Sequence, residues 1–296
     1  MRHTALALLA FAGVAACSGD SITTSTLAAD AVRARGGTDQ AASASSNVVV
    51  VSESDIHRQP ENTPPTGHWV LYSRLAGNGA FVSGPGTPPL GVGSVTFETP
   101  TGADKVQLFN YDHIGTPLSQ VSSMSYSTYR TAGAAQQVTA INVEVDVNGT
   151  APGGFTTLVF EPVYNTSQGA VVSGQWQTWD AYNGGNAIWW SSNPIPGAPN
   201  RDTFVSWNSI VAANPDAVIV GGFGLNQGSG NSGLVSSVDA LHFDTPTTDV
   251  TYDFEPFHVA TNKDACKDGG WRTLRRADGS SFKNQGDCVS YTNTGR

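Results

Sequence analysis

Charge is scarce in this chain. Asp, Glu, Lys and Arg make up only 13% of its 296 residues, about half the share in an ordinary soluble domain. A helical bundle or coiled coil needs Glu, Lys and Leu along its faces, so both architectures are excluded. Methionine numbers 2 and cysteine 3, against 33 glycines and 16 prolines. Hydrophobic residues still supply 39%, too many for a wholly disordered chain. No apolar run reaches the roughly 20 residues with which a helix crosses a bilayer. Abundant Gly, Ser, Thr, Val and Asn favour strands and tight turns. The composition points to a mostly-β secreted protein.

The formal charge of −9 is unevenly placed. Residues 47–256 carry 17 acids against 5 bases, whereas residues 257–296 carry 7 bases against 4 acids. An acidic body repels nucleic acid and anionic lipid, so neither is expected as a partner of the main domain. Arg272, Arg275 and Arg276 in the tail read as a solvated basic loop.

Met1–Arg2–His3 is a short basic stretch followed by the apolar segment Ala5–Ala16. Its end, Val14–Ala15–Ala16–Cys17, resembles a bacterial lipobox: a branched apolar residue, two small residues, then Cys. The resemblance implies a lipoprotein signal peptide over 1–16 and a diacylglycerol on Cys17. The lipid bilayer is then a partner through the acyl anchor, and the cell envelope is the location. Ser18, where an Asp would favour inner-membrane retention, points to the outer membrane or the surface. Residues 17–46 comprise the lipidated Cys and a tether of small residues without a single aromatic. Once Cys17 is acylated, Cys266 and Cys288 are left as a pair for a disulfide.

Folded sequence is expected from Val48 onward. Short β-rich runs succeed one another between turn signals such as Gly84–Pro85–Gly86, Asn148–Gly149 and Gly228–Ser229–Gly230. This pattern over 47–256 predicts a jelly-roll-like antiparallel β-sandwich. One packed helix is expected over 202–214, with Phe204, Trp207, Ile210 and Val211 on its inner face and Asp202 or Thr203 as N-cap. Residues 257–296 read as a small disulfide-closed unit. Its segments Cys266–Lys267–Asp268–Gly269–Gly270–Trp271 and Phe282–Lys283–Asn284–Gln285–Gly286–Asp287–Cys288 resemble a CKxGGW…FKNQGxCV motif that ends many uncharacterised bacterial exported proteins.

No nucleophile elbow, zinc-protease motif or phosphate loop is present, and Asp112–His113 reads as a loop contact. Three constellations remain. In Ile141–Asn148 the apolar residues alternate with Asn142, Glu144, Asp146 and Asn148, which share the opposite face. Glu144 and Asp146 partly resemble the E-x-D-x-(x)-E strand of concanavalin-like glucanases, although the third acid is absent; Glu161 is the nearest candidate to complete a pair.

The second constellation is aromatic. Trp176, Trp179, Tyr182, Trp189, Trp190 and Trp207 are interleaved with Asn and Gln. Flat rings beside amides suit the apolar faces and hydroxyl rims of sugars, so Trp179, Tyr182, Asn183, Trp189 and Trp190 are candidate glycan-binding residues. Trp176 and Trp207 are assigned to the core, and one of Trp189 and Trp190 must point away from it in extended backbone. Third, Gly93–Glu98 and Ser237–Leu241 resemble paired strands of the galactose-binding-like jelly roll of carbohydrate-binding modules. That resemblance implies a structural Ca²⁺ shared by Glu98 and Asp239.

The reading favoured by these features is a surface-anchored, non-catalytic binding module for glycan or envelope polymer. The alternatives are a glycan-degrading enzyme built on Glu144 with Asp146 or Glu161, and a purely structural envelope protein. The lipobox is directly testable: labelled fatty acid should enter the wild type and not Cys17→Ser, and equal labelling of both refutes acylation.

Overall fold

The computed structural model describes residues 47–149 and 153–295. Cys17, the signal peptide and the tether expected over 1–46 lie outside the described residues. Among the described residues, fifteen strands, numbered in chain order, form two sheets. The first contains β1 (Asn47–Val51), β4 (Asn78–Ser83), β5 (Gly93–Thr99), β7 (Ser123–Ala132), β10 (Trp176–Asp180), β14 (Leu234–Thr245) and β15 (Thr248–Phe254). The second contains β2 (Ile56–Pro60), β3 (Trp69–Arg74), β6 (Lys105–Asn110), β8 (Ala140–Asp146), β9 (Phe155–Phe160), β11 (Ile188–Ser191), β12 (Val205–Ser206) and β13 (Val218–Gln227).

In the first sheet the long strand β14 lies between β7 on one side and β5 and β15 on the other. The second runs β12-β11-β9-β8-β13-β6-β3-β2. Most pairs are antiparallel as expected, but β1–β15 and β2–β3 are parallel, so both sheets are mixed. A hairpin imposes antiparallel pairing only on strands it joins, and β1 and β15 are the first and last strands among the described residues.

The inner faces of the two sheets enclose the core that strand alternation predicts. Ile141, Val143 and Val145 of β8 face inward, with Leu158 and Phe160 of β9 and Phe223 and Leu225 of β13. Trp69 meets Tyr252 and Phe254 edge-on, at centroid distances of 4.9 and 5.7 Å. The expectation that Trp179 and Trp189 are stacking platforms is corrected here, because their side chains are 1% and 0% exposed. Their polar edges are satisfied inside: Trp179 Nε1 donates to Thr128 Oγ1 at 2.8 Å and Trp189 Nε1 to the Ala181 carbonyl at 2.9 Å. Trp207 is buried as expected, 5.1 Å from Trp189. Trp176 is not core. It lies half-buried beside Tyr129, and its Nε1 donates to the Pro85 carbonyl at 2.8 Å.

The helix is shorter than its periodicity predicts. Val205 and Ser206 form β12 against β11, and α1 (Trp207–Ala213) begins only after them. Ser206, not Asp202 or Thr203, is the N-cap, its hydroxyl accepting from the Ser209 N–H at 3.2 Å. Trp207 and Ile210 keep their inward positions, while Phe204 falls outside the helix and is exposed.

The tail has a core of its own, made of Ala260, Cys266, Phe282 and Cys288. The expected Cys266–Cys288 disulfide is present, with Cα atoms 5.8 Å apart. The second motif segment continues into a helix that strand-and-turn reading missed, α2 (Gln285–Thr294), capped by Asn284 through the Asp287 N–H at 2.9 Å. Arg276 is not a free loop charge: it lies 4.6 Å over the Phe282 ring and pairs with Asp287 at 2.7 Å. His258 ties the tail to the sandwich through Asp55 at 2.7 Å.

Because Trp189 is fully buried between the Phe160 and Trp207 rings, Trp189→Ala should lower unfolding free energy by about 3–5 kcal/mol. Denaturant unfolding of the two proteins measures it, and a loss below about 1 kcal/mol contradicts the packing described.

Candidate functional site

Strand alternation that drives one set of residues into the core drives the other set outward. On the second sheet this outer face is a groove of about 840 Å³. Its floor is laid by Tyr72 of β3, Gln107 and Phe109 of β6, Asn142 and Glu144 of β8, Val159 of β9 and Asn226 of β13. Glu161, just past β9, and Trp190 of β11 form one end, where Arg201, Tyr164 and Phe204 rise from the loops.

Trp190 faces away from the core because Trp189, its neighbour in extended backbone, faces in. Its Nε1 donates to Glu161 Oε2 at 2.8 Å, and the Arg201 guanidinium lies 4.8 Å from its ring centroid. Tyr164 and Phe204 form a second exposed aromatic pair, 4.2 Å apart. The result is a half-covered indole with a carboxylate on its N–H edge and a guanidinium over one face.

Glu144 is held by a break in β13. The register between β13 and β8 shifts between Ile219 and Phe223, and the bulge brings the Gly222 N–H to Glu144 Oε2 at 2.7 Å. Glycine is required there, since a Cβ on Gly221 would lie 2.2 Å from that oxygen and one on Gly222 2.4 Å from Phe109. The Gly221–Gly222–Phe223–Gly224 run therefore serves a carboxylate, not a phosphate.

Burial raises the carboxyls of both Glu144 and Glu161 above their ordinary range. The Gly222 N–H and the Lys105 charge partly offset this for Glu144, and Trp190 and Arg201 do so for Glu161. Two further polar atoms on the floor, the amide oxygens of Asn142 and Asn226, are buried without a hydrogen-bond partner in the protein. Such an atom costs about 1–3 kcal/mol.

The remaining candidates lie elsewhere. Tyr182 packs half-buried against the core, and Asn183 sits on an exposed turn at φ +49° with its N–H on Asp180 Oδ1; neither lines the groove. Asp146 shares the outward face of β8 but accepts from the Asn148 N–H at 2.8 Å, outside the groove lining. Glu144 and Glu161 do share the groove. Glu144 is opposite Thr157, so Glu161 stands four residues farther along the sheet, about 13 Å at the backbone. Arg201, Tyr164 and Asn226 were not singled out in the sequence, and Phe204 was read only as an inner-face residue of the helix. Asn142 was placed on the correct face by alternation but given no role.

The pairing of Glu98 with Asp239 for Ca²⁺ is corrected by register. Glu98 is opposite Val235, four residues from Asp239 on β14, and its side chain is exposed. Asp239 instead lies near Asp253 and Glu255, whose charges act on one another, and all three are buried. Asp239 accepts from the Leu90 and Phe254 N–H groups at 2.9 and 3.1 Å, and Glu255 Oε1 from Val92 and Gly93 at 2.6 and 3.0 Å. Asp253, 7% exposed, has one oxygen with no partner. Among the described residues no group of three or more His, Cys, Asp or Glu is arranged to hold a metal ion.

Asp112 pairs with His68 rather than with His113. His113 is buried, its ring 4.1 Å from Phe243 and its Nε2 3.0 Å from the Tyr252 hydroxyl. Comparison with known proteins finds no matching family, no matching curated relative and no matching solved structure.

The buried acids make stability depend on pH. Burial and mutual repulsion push Asp239 up from 3.8 to about 6 and Asp253 to about 7. The folded state then keeps protons that the unfolded chain has lost, so this contribution is whole below about pH 3.8 and disappears as pH rises through 6 and 7. His113, pushed by burial from 6.5 to about 4, acts in the opposite sense and contributes fully above 6.5. Melting temperature should therefore fall as pH rises from about 4 to 7, His113 offsetting part of the fall below 6.5, and Asp253→Asn should flatten that fall while giving no advantage near pH 4. Parallel curves for the two proteins across that range would contradict the cluster's role.

Proposed function

We propose that this protein is a lipid-anchored envelope module that binds a glycan in the groove on its eight-stranded sheet and does not cleave it. The observation that carries the reading is the half-exposed Trp190 ring on the outer face of the sheet, with Glu161 on its indole N–H and Arg201 over one of its two faces. A sugar presents an apolar face to such a ring and hydroxyls to the polar groups at its edge. The neighbouring Tyr164–Phe204 pair extends the aromatic surface along the same end of the groove. The Val14–Ala15–Ala16–Cys17 sequence and the polar tether supply the anchor in this reading.

Hydrolysis is the second reading, favoured by the raised carboxyls of Glu144 and Glu161 in one groove. Glycosidase pairs work at carboxyl separations of about 5–9.5 Å. From backbones about 13 Å apart, both side chains must lean toward each other along the strand direction. Neither carboxyl is among the charges that act on the other. Non-catalytic binding therefore fits better.

A glycan array followed by calorimetry tests this. Trp190→Ala should weaken binding at least tenfold while shifting the melting temperature little, since the ring is only half-buried. A wild type that binds nothing, or a variant that binds equally well, refutes the glycan site. Release of reducing ends that Glu161→Gln abolishes would put hydrolysis in its place.

A further inference from the structure

The groove floor carries chemistry that its aromatic end does not explain. Six buried side-chain polar atoms among the described residues lack a hydrogen-bond partner, and two of them are the amide oxygens of Asn142 and Asn226. Asn142 is 6% exposed, and both residues line the groove. Asn142 is opposite Gly224 and Asn226 opposite Ala140, which makes them diagonal neighbours on adjacent strands, about 7–8 Å apart. Asn142 lies on β8 between Glu144 and the level of Glu161, and Asn226 lies at the level of Glu161 on the other side of β8.

An asparagine kept for the fold alone would satisfy its amide within the protein, as Asn165 does by donating to the Glu161 and Ile188 carbonyls and accepting from the Ile188 N–H at 2.7 Å. Asn142 and Asn226 instead leave their acceptors unpaired. Leucine in either place would remove that cost. Nearby, one hydroxyl of the Tyr72–Tyr111 pair donates to the other at 2.9 Å, and Lys105 donates to Glu61 at 2.7 Å. Glu144 and Glu161 each use Oε2 internally, which leaves Oε1 as a further acceptor.

The floor thus offers four acceptors, the amide oxygens of Asn142 and Asn226 and the Oε1 atoms of Glu144 and Glu161. Its complement is a ligand that brings O–H groups. A uronate or sulfate would bring more acceptors and negative charge to a lining in which Glu61, Glu144, Glu161 and Asp202 outnumber Lys105 and Arg201. Rotation about χ2, a broad torsion in asparagine, turns each amide oxygen toward a bound chain.

We propose that Asn142 and Asn226 are the hydroxyl-reading pair of the groove and that its ligand is an uncharged polyhydroxyl chain. This rests on the reading of the groove as a glycan site.

The test uses the full chain and six polymers: a β-glucan, a xylan and a mannan against polygalacturonate, alginate and a sulfated galactan. Binding is measured by calorimetry for the wild type, Asn142→Leu and Asn226→Leu. At least one neutral polymer should bind, at least tenfold more tightly than every acidic one. Each Leu variant should lose at least tenfold in affinity while its melting temperature stays level or rises, which a structural asparagine would not allow. If Asn142→Leu does not fold, Asn142→Ala and the Asn226 variant carry the test. Preference for acidic polymers, unchanged affinity in both variants, or lower melting of both overturns the proposal and leaves the glycan reading standing. A wild type that binds none of the six overturns both.

Discussion

In an extended strand, a residue buried on one face dictates where its neighbours go, and the groove depends on this two-residue period. Ile141, Val143 and Val145 cannot leave the core, so Asn142 and Glu144 cannot enter it. Phe160 places Glu161 outside, and Trp189 places Trp190 outside. A slip of one residue in β11 would put Trp190 into the core and Trp189 into the groove, with every polar partner lost. The interior packing of one tryptophan thus sets the exposure of the next.

Where the period is broken, the break is local and has a use. The bulge in β13 interrupts pairing with β8 at the two glycines that let Glu144 lie against the strand, and the Gly222 N–H that the bulge frees becomes the carboxylate's donor. Glu161 is held by a different device, the indole N–H of Trp190. Each carboxylate has one strong internal donor and one more distant cation, Lys105 or Arg201. That support does not cancel the cost of burial. The protein keeps two desolvated acids and two unpaired amide oxygens on a single face, a combination that lowers stability and that a purely structural sheet would not need.

The fold alone assigns no chemistry, because sandwiches of this kind host unrelated functions. The same sequence places buried acids in two settings with different consequences. In the groove they face a volume large enough for a ligand. At the junction of β14 and β15, Asp239, Asp253 and Glu255 face one another and the backbone of the 90–93 loop, which ties that loop to the sheet and makes its attachment sensitive to pH.

Much of the fold was legible in the sequence. Alternation in 141–148 identified the inward and outward faces of β8, the cysteine count identified the Cys266–Cys288 bridge, and extended backbone required Trp189 and Trp190 to diverge. These are consequences of local geometry and chain composition. Which tryptophan turned inward, the burial of Trp179, the outward place of Trp176 and the release of Phe204 from the helix depended on which strands became neighbours. Asn226 meets Asn142 only through pairing between segments distant in the chain, and Asp253 meets Asp239 across the β14–β15 hairpin. Arg201 reaches Trp190 from a loop with no periodic signal at all. A strand's own pattern states which residues share a face; only the assembled sheet decides which faces meet, because pairing is settled by the burial of all strands together.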